Sequence, residues 1–222
     1  MLPSDHQASL HARMESILLP AGKVLYRTGE PPEYAHFMTS GLASIVILMT
    51  DGANPEVALI GREGLVEGYH LLGQASVPSS GVVRIEGSAL RIPFVELQKH
   101  FASSQSLHRR ILESIQIRGL VGSQVAACNR LHGVEERLAR RLLIIADLLS
   151  DSAFYLTHEA LAEMMGVQRT TVTQVAGSFQ SRGLITYSRG HIHIVDRKDL
   201  ESVACECYPI IRNLIFNLYQ PS

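Results

Sequence analysis

The stretch "LTHEALAEMMGVQRTTVTQVAGSFQSRGLI" (Leu156–Ile185) decides how this chain is read. Thr157 is a good helix N-cap, and Glu159 puts an acid in the first turn, where the helix dipole favours it. "HEALAEMM" supplies about two turns. Gly166 then takes the left-handed conformation that ends a helix. A second helix is predicted from near Gln168 to about Ser181, stopped by Gly183. Ala162, Gly166 and Val172 stand where a helix-turn-helix needs a small contact residue, a turn glycine and an aliphatic anchor.

The second helix begins with an unusual surface: Gln168, Arg169, Thr170, Thr171, Thr173 and Gln174 in one run, with no acid among them. Threonine is a weak helix former, so propensity does not explain the choice. In a helix-turn-helix these positions face a DNA major groove. There Arg bonds both acceptors of guanine, Gln suits adenine, and Thr offers a hydroxyl and a methyl. From Val167 to Val195, 29 residues contain no Asp or Glu while Arg169, Arg182 and Arg189 are present. Such local positivity suits a polyanion. The bland reading is a solvated polar helix face. The next residues of the chain weigh against it: "LITYSRGHIHIV" (Leu184–Val195) reads as two short strands around Ser188-Arg189-Gly190, a hairpin with arginine at its tip. Together these make a winged helix. Thr157 and Arg189 are the expected phosphate contacts.

Upstream, "VEERLARRLLIIADLL" (Val134–Leu149) is an amphipathic helix with Leu138, Leu142, Ile145 and Leu149 on one face. "LHG" (Leu131–Gly133) interrupts the pattern, and Gly133 is the candidate hinge. Before it, Leu107–Leu131 reads as one long helix with Ile111, Ile115, Gly119, Gly122 and Ala126 at helical spacing. Two mid-helix glycines cost about 1 kcal/mol each relative to Ala. Close approach of a second copy's backbone compensates for that, so a dimer helix is the favoured reading; the alternative is that the stripe faces its own domain. Residues 1–19 read as a short helix carrying Leu10, Met14, Ile17 and Leu18. From Pro20 to Pro93, short apolar runs end in Gly or Pro, as in a small β-barrel or jelly roll. Lys198–Tyr219 reads as helical.

The totals set limits. Net charge is -1 over 222 residues, so only a local surface, not the whole chain, is suited to nucleic acid. No apolar run is long enough to span a membrane and no leader pattern opens the chain, so a cytoplasmic protein without membrane contact is expected. Three cysteines, Cys128, Cys205 and Cys207, do not make a secreted disulfide framework. Cys128 reads as a helix-packing thiol.

With these segments in order, the chain resembles the Crp/Fnr family of bacterial transcription regulators over nearly its whole length. The resemblance is carried by Gly22, Gly29, Gly41, Gly52 and Gly64, by "GREGLVEG" (Gly61–Gly68), by "VEERLARRLL" and by "LTHEALAEMMGVQRTTVTQV". It implies an α+β architecture: a cyclic-nucleotide-binding-like β-barrel over 1–106, a dimerisation helix over 107–132, and a winged helix-turn-helix domain over 133–222. It implies a homodimer on duplex DNA, with Arg169 at the family's guanine-contacting position. Thr170 stands where many members carry Glu, and Gln174 where several carry Arg, so the half-site differs from the usual one.

Members that bind cyclic AMP are similar to one another in a Gly-Glu pair for the ribose and an Arg-Ser pair for the phosphate. Here those positions fall on Gly68-Tyr69 and Ser79-Ser80. Without that arginine a cyclic phosphate lacks its counter-charge, so cyclic AMP is not expected: the barrel either senses another small molecule near Gly68, Tyr69, Ser79 and Ser80 or has lost sensing and is constitutively competent. The cysteines of the oxygen-sensing branch are missing from the N-terminal part, so no cofactor is expected.

Two further clusters carry residue types capable of chemistry. His191, His193, Cys205 and Cys207 suggest a metal, but a strand-borne His pair is more often wing surface and two thiolates one residue apart suit a single tetrahedral ion poorly, so no metal is expected. Glu63, Glu67 and His70 lie close in sequence but read as turn and pocket-lip residues. No phosphate loop, GxSxG elbow or HExxH is present, so the protein is not expected to be an enzyme. An activator would also need a surface for RNA polymerase, which no stretch marks. The alternative from another class is an effector- or partner-binding module whose winged helix contacts protein instead of DNA.

Overall fold

The computed structural model describes residues 10–50, 52–62, 64–73 and 76–217. Glu63 and Tyr219 lie outside them. The chain forms two compact units: one runs to Leu48 and resumes over Val57–Gly119, the other comprises Met49–Glu56 and Leu120–Asn217.

The first unit is β-rich. Its strands are β1 (Glu15–Leu19), β2 (Val24–Tyr26), β3 (Tyr34–Val46), β4 (Glu56–Ile60, whose first residue, Glu56, belongs to the second unit) and β5 (Ser80–Pro93). The sheet order is β1-β5-β3-β4, and β2 also pairs with β5. Two helices follow, α1 (Phe94–Ser103) and the first part of α2 (Gln105–Leu131). One core cluster fills the barrel around Leu19, Met38, Ile45 and Val83. A second, with Ala35, Ile92, Leu97, Leu107 and Ile111, seats α1 and α2 against the sheet.

Three expectations change here. The helix expected over residues 1–19 gives way after Leu10–His11 to a turn and then to β1, in register with β5 from Glu15↔Arg91 to Leu19↔Gly87. Leu18 points to solvent while Leu19 is buried, the alternation of a strand and not the three-to-four spacing of a helix. Gly41 and Gly87 do not end strands. They sit inside the 13-residue β3 and the 14-residue β5, where the pairing slips register three times between Met38 and Ala43. A Cβ on Gly87 would lie 2.3 Å from Ser40 O, and one on Gly41 would lie 2.6 Å from Glu86 O. The two glycines let the backbones close across these bulges, bending one long ribbon where a sequence reading sees turns. Lastly, Ile111 is buried in the second cluster and Ile115 packs on it. These two face their own unit, which is the alternative reading of the stripe. Gly119 and Gly122 have open space beside them.

The second unit holds the rest of α2, then α3 (Val134–Leu149), β6 (Ala153–Tyr155), α4 (His158–Met165), α5 (Arg169–Ser181), β7 (Ile185–Ser188), β8 (His191–Ile194), α6 (Arg197–Val203) and α7 (Cys207–Asn217). Leu138, Leu142, Leu143 and Ile145 of α3 are fully buried, and Phe179 of α5 likewise. The three wing strands run in the order β6-β8-β7. The segment expected as one C-terminal helix breaks at Ala204, whose ψ is 146°. Pro209 explains the break. It has no N–H to continue a helix from upstream, and it is accommodated in the first turn of a new one.

Candidate nucleic-acid interface and effector cavity

Each end of the helix-turn-helix is fixed by the chemistry its sequence suggests. Thr157 Oγ1 accepts from Ala160 N at 3.2 Å, capping α4. Gly166 closes α4 with φ 62°, and its N–H and that of Val167 return to the last carbonyls. Gln168 is the N-cap residue of α5 with extended backbone. Val172, Ala176 and Phe179 turn inward, so Gln168, Arg169, Thr170, Thr173 and Gln174 are exposed and Thr171 is half-buried.

Behind this surface lies a brace that sequence reading did not anticipate. Arg137 and Arg141 of α3 are buried. Arg137 donates to Met165 O at 2.8 Å and Arg141 to Met164 O at 3.1 Å. They satisfy carbonyls at the C-terminal end of α4, where cations suit both the unpaired oxygens and the dipole. Arg141 also pairs with the Glu56 carboxylate. The signal was present as "RLARR" on an amphipathic helix, but charge alone assigns such residues to solvent.

His158 supplies a second brace. Its Nδ1 lies 3.0 Å from Thr173 Oγ1, and that hydroxyl donates to Arg169 O at 3.0 Å. Since the threonine proton is spent on a carbonyl, the imidazole must donate from Nδ1. The ring stacks on Tyr187 of β7 at 3.8 Å. Burial first, and the Arg169 charge second, hold its pKa below the ordinary histidine value. One side chain thus joins α4, α5 and the wing. Thr173 keeps its methyl for an outside contact, its hydroxyl being engaged. Thr157 still has its hydroxyl proton to give.

The wing tip is the two-residue loop Arg189-Gly190, with φ of 50° and 90°. Positive φ at both positions is the hairpin turn that matches strand twist, and it leaves Arg189 exposed at the apex. Not every arginine of the acid-free run is free. Arg182 pairs with Glu135 at 2.7 Å, and Arg169 lies 3.8 Å from Glu159. Adjacent helices return acids that the run itself lacks. His191 and His193 stand exposed on β8, His191 edge-on to Tyr155, and the structure does not bring them to Cys205 and Cys207.

In the first unit a cavity of about 440 Å³ is lined by Ile45, Leu72 and Val77 and by the polar side chains of Tyr69, Ser76 and Ser79. Ser79 Oγ is 3.1 Å from Tyr26 Oη. Of the other residues expected here, Ser80 turns to Thr28, whose N–H it accepts at 3.0 Å. Gly68 lies on a 3-10 turn under Ile115. Among the described residues no arginine lines the cavity. Glu67 is instead engaged in the core, accepting from His36 N and paired with His36 Nδ1, both at 2.7 Å.

Comparison with known proteins accounts for both units. Residues 17–104 match the cyclic nucleotide-binding domain and residues 136–203 the Crp-like helix-turn-helix domain. The chain belongs to the Crp/Fnr family of transcription regulators. This Crp/Fnr regulator is 22% identical over 200 residues to the "CRP-like cAMP-activated global transcriptional regulator" of Mycobacterium tuberculosis, covering 87% of this chain and 89% of that one. A Crp/Fnr regulator from Eubacterium rectale shares its fold with a TM-score of 0.72 at 18% identity, covering 91% and 94% of the two chains. FixK2 from Bradyrhizobium japonicum does so with a TM-score of 0.72 at 16% identity, covering 86% and 98%. The family regulators bind DNA and are not enzymes, and they carry an effector-binding domain. Among the described residues no helix is long and apolar enough to cross a membrane.

Proposed function

We propose that this Crp/Fnr regulator acts as a homodimer that reads a two-fold symmetric DNA site. The observation that carries the reading is the exposed amino-terminal half of α5, braced from behind by His158, Arg137 and Arg141. Gln168, Arg169, Thr170, Thr171 and Gln174 read or position bases, and the Thr173 methyl contacts one. Thr157 and Arg189 hold phosphates on either side. The second copy docks along the exposed stripe of α2 that includes Leu112, Gly119, Leu120 and Ala126.

The effector is a small, uncharged, largely apolar molecule with one or two polar groups, and it is not cyclic AMP. The cavity walls support this, since they offer hydroxyls and aliphatic carbon and, among the described residues, no guanidinium for a phosphate. Its binding shifts the population in which the two winged helices match half-sites about 34 Å apart.

Selection of bound duplexes from a random library tests the DNA reading. A symmetric motif is expected, and Arg169→Ala should cost about 1–3 kcal/mol and relax preference at one base pair in each half-site. Failure to enrich any motif, in buffer and in cell extract alike, would leave the winged helix as a protein-binding surface.

A further inference from the structure

Three cysteines widely separated in sequence meet in the second unit. Cys128 Sγ lies 3.5 Å from Cys205 Sγ, and Cys207 Sγ lies 3.6 Å from His132 Nδ1. The four ligand atoms of Cys128, His132, Cys205 and Cys207 all fall within 4.8 Å of one another. All three thiols are buried. Tetrahedral zinc with ordinary bond lengths separates two sulfur ligands by about 3.8 Å and a sulfur from an imidazole nitrogen by about 3.6 Å. We propose that these four residues form a structural zinc site, a Cys₃His centre that fastens the end of α2 to the α6–α7 turn.

The local structure is suited to the task. His132 N donates to Cys128 O at 3.0 Å, so His132, just past the end of α2, stands one helical turn from Cys128. Cys205 sits in the turn after α6 and Cys207 begins α7, where the exposed N–H groups of a helix start favour thiolate. The break in the chain before Pro209 lets two cysteines one residue apart converge. The expectation of no metal rests on pairing Cys205 and Cys207 with the wing histidines and on the one-residue spacing of the two thiols; here the second pair comes from the end of α2, Cys128 and His132, and the four ligand atoms converge.

The surroundings fit an ion of this charge. With His132 Nδ1 as the ligand, Nε2 faces outward, 3.9 Å from the Glu206 carboxylate, the kind of outer partner that fixes a ligating imidazole. Gln124 Nε2 donates to Cys207 Sγ at 3.2 Å. Arg140 is buried against Cys128 and Cys205, and among the described residues it makes no ion pair with a carboxylate. A buried guanidinium facing neutral thiols is costly. Three thiolates around one divalent ion carry a net single negative charge, which Arg140 neutralises. Ligand atoms this close enclose one ion, whereas the cysteines of an iron–sulfur cluster are held farther apart by the cluster between them.

The test uses the full chain, purified anaerobically from zinc-supplemented medium and analysed for metal by mass spectrometry. One zinc per chain is expected, falling below about one tenth in a Cys205→Ser/Cys207→Ser double variant that still melts cooperatively. The wild-type chain gives a second readout that needs no substitution: zinc should slow alkylation of Cys128, Cys205 and Cys207 by about tenfold or more relative to chelator-treated protein. Cobalt in place of zinc should give the intense visible bands of a tetrahedral thiolate site. Absence of metal with equal alkylation in zinc and chelator would overturn the proposal. So would a Cys128–Cys205 disulfide in the anaerobic protein, or stoichiometric iron with sulfide in place of zinc. None of these readouts involves DNA, so they stand or fall apart from the proposed regulatory role.

Discussion

At the scale of single residues, His158 makes the stability of the fold depend on pH. Its pKa is lowered by burial and by Arg169, so the folded protein holds it neutral where the unfolded chain takes up a proton more readily. Its contribution to stability is therefore complete above the ordinary histidine value of about 6.5 and is lost as pH falls below it. Thermal melts of wild type and His158→Gln between pH 7.5 and 5.5 should show wild type more stable at the upper end and the gap narrowing toward the lower. A gap that widens in acid would mean that the folded state favours imidazolium. Glu159 makes a second prediction at this scale. It sits 3.8 Å from Arg169, both largely exposed, so the pair adds little stability. Its charge nevertheless faces a surface proposed to meet phosphates. Glu159→Gln should leave the melting temperature nearly unchanged and tighten DNA binding several-fold at low salt, an effect that shrinks as salt rises.

At the scale of elements, the helix-turn-helix was legible and its supports were not. Thr157, Gly166 and Gly183 mark helix ends through their own backbone and capping chemistry, which a neighbour-by-neighbour reading of the chain captures. Arg137 and Arg141 act on carbonyls 28 and 23 residues away, and no local pattern encodes that. Gly41 and Gly87 misled for a related reason. A glycine needed for close approach inside a strand looks in sequence like one needed for a turn. The cysteine cluster was invisible because Cys128 and Cys205 are 77 positions apart. Two local hints stand in the sequence, Cys205 and Cys207 one residue apart and "CNRLH", with Cys128 and His132 four residues apart, but nothing local joins them. Arg141→Met tests the brace. Removing one partner of a buried ion pair typically costs about 3–5 kcal/mol. Denaturant unfolding should show a loss of that size, against less than about 1 kcal/mol for Glu159→Gln.

At the scale of the whole molecule, the proposed association uses the exposed stripe of α2. Leu120 is 48% exposed and Leu112 40%. Leu120→Glu should give a folded monomer by light scattering and abolish high-affinity binding to a two-half-site duplex, with weaker binding to a single half-site retained. Gly119→Ala is the finer probe. In a lone helix it adds about 1 kcal/mol of stability by propensity. Where a second backbone packs against that position, the methyl group weakens the dimer instead. A more stable dimer after Gly119→Ala would place the glycine outside the contact.

The strand order has a consequence for how this protein is made. β1, β2 and β3 all pair with β5, and Glu15 finds its partner only at Arg91. A chain emerging from the ribosome therefore carries β1 and β2 without their partners until β5 has emerged, whereas the hairpins and short helix contacts of the second unit join segments closer in sequence. The part of the protein synthesised first is thus the part that waits, with Leu19, Tyr26 and Met38 still without a core to enter. During that interval the apolar surface left uncovered belongs to the first unit and not to the second.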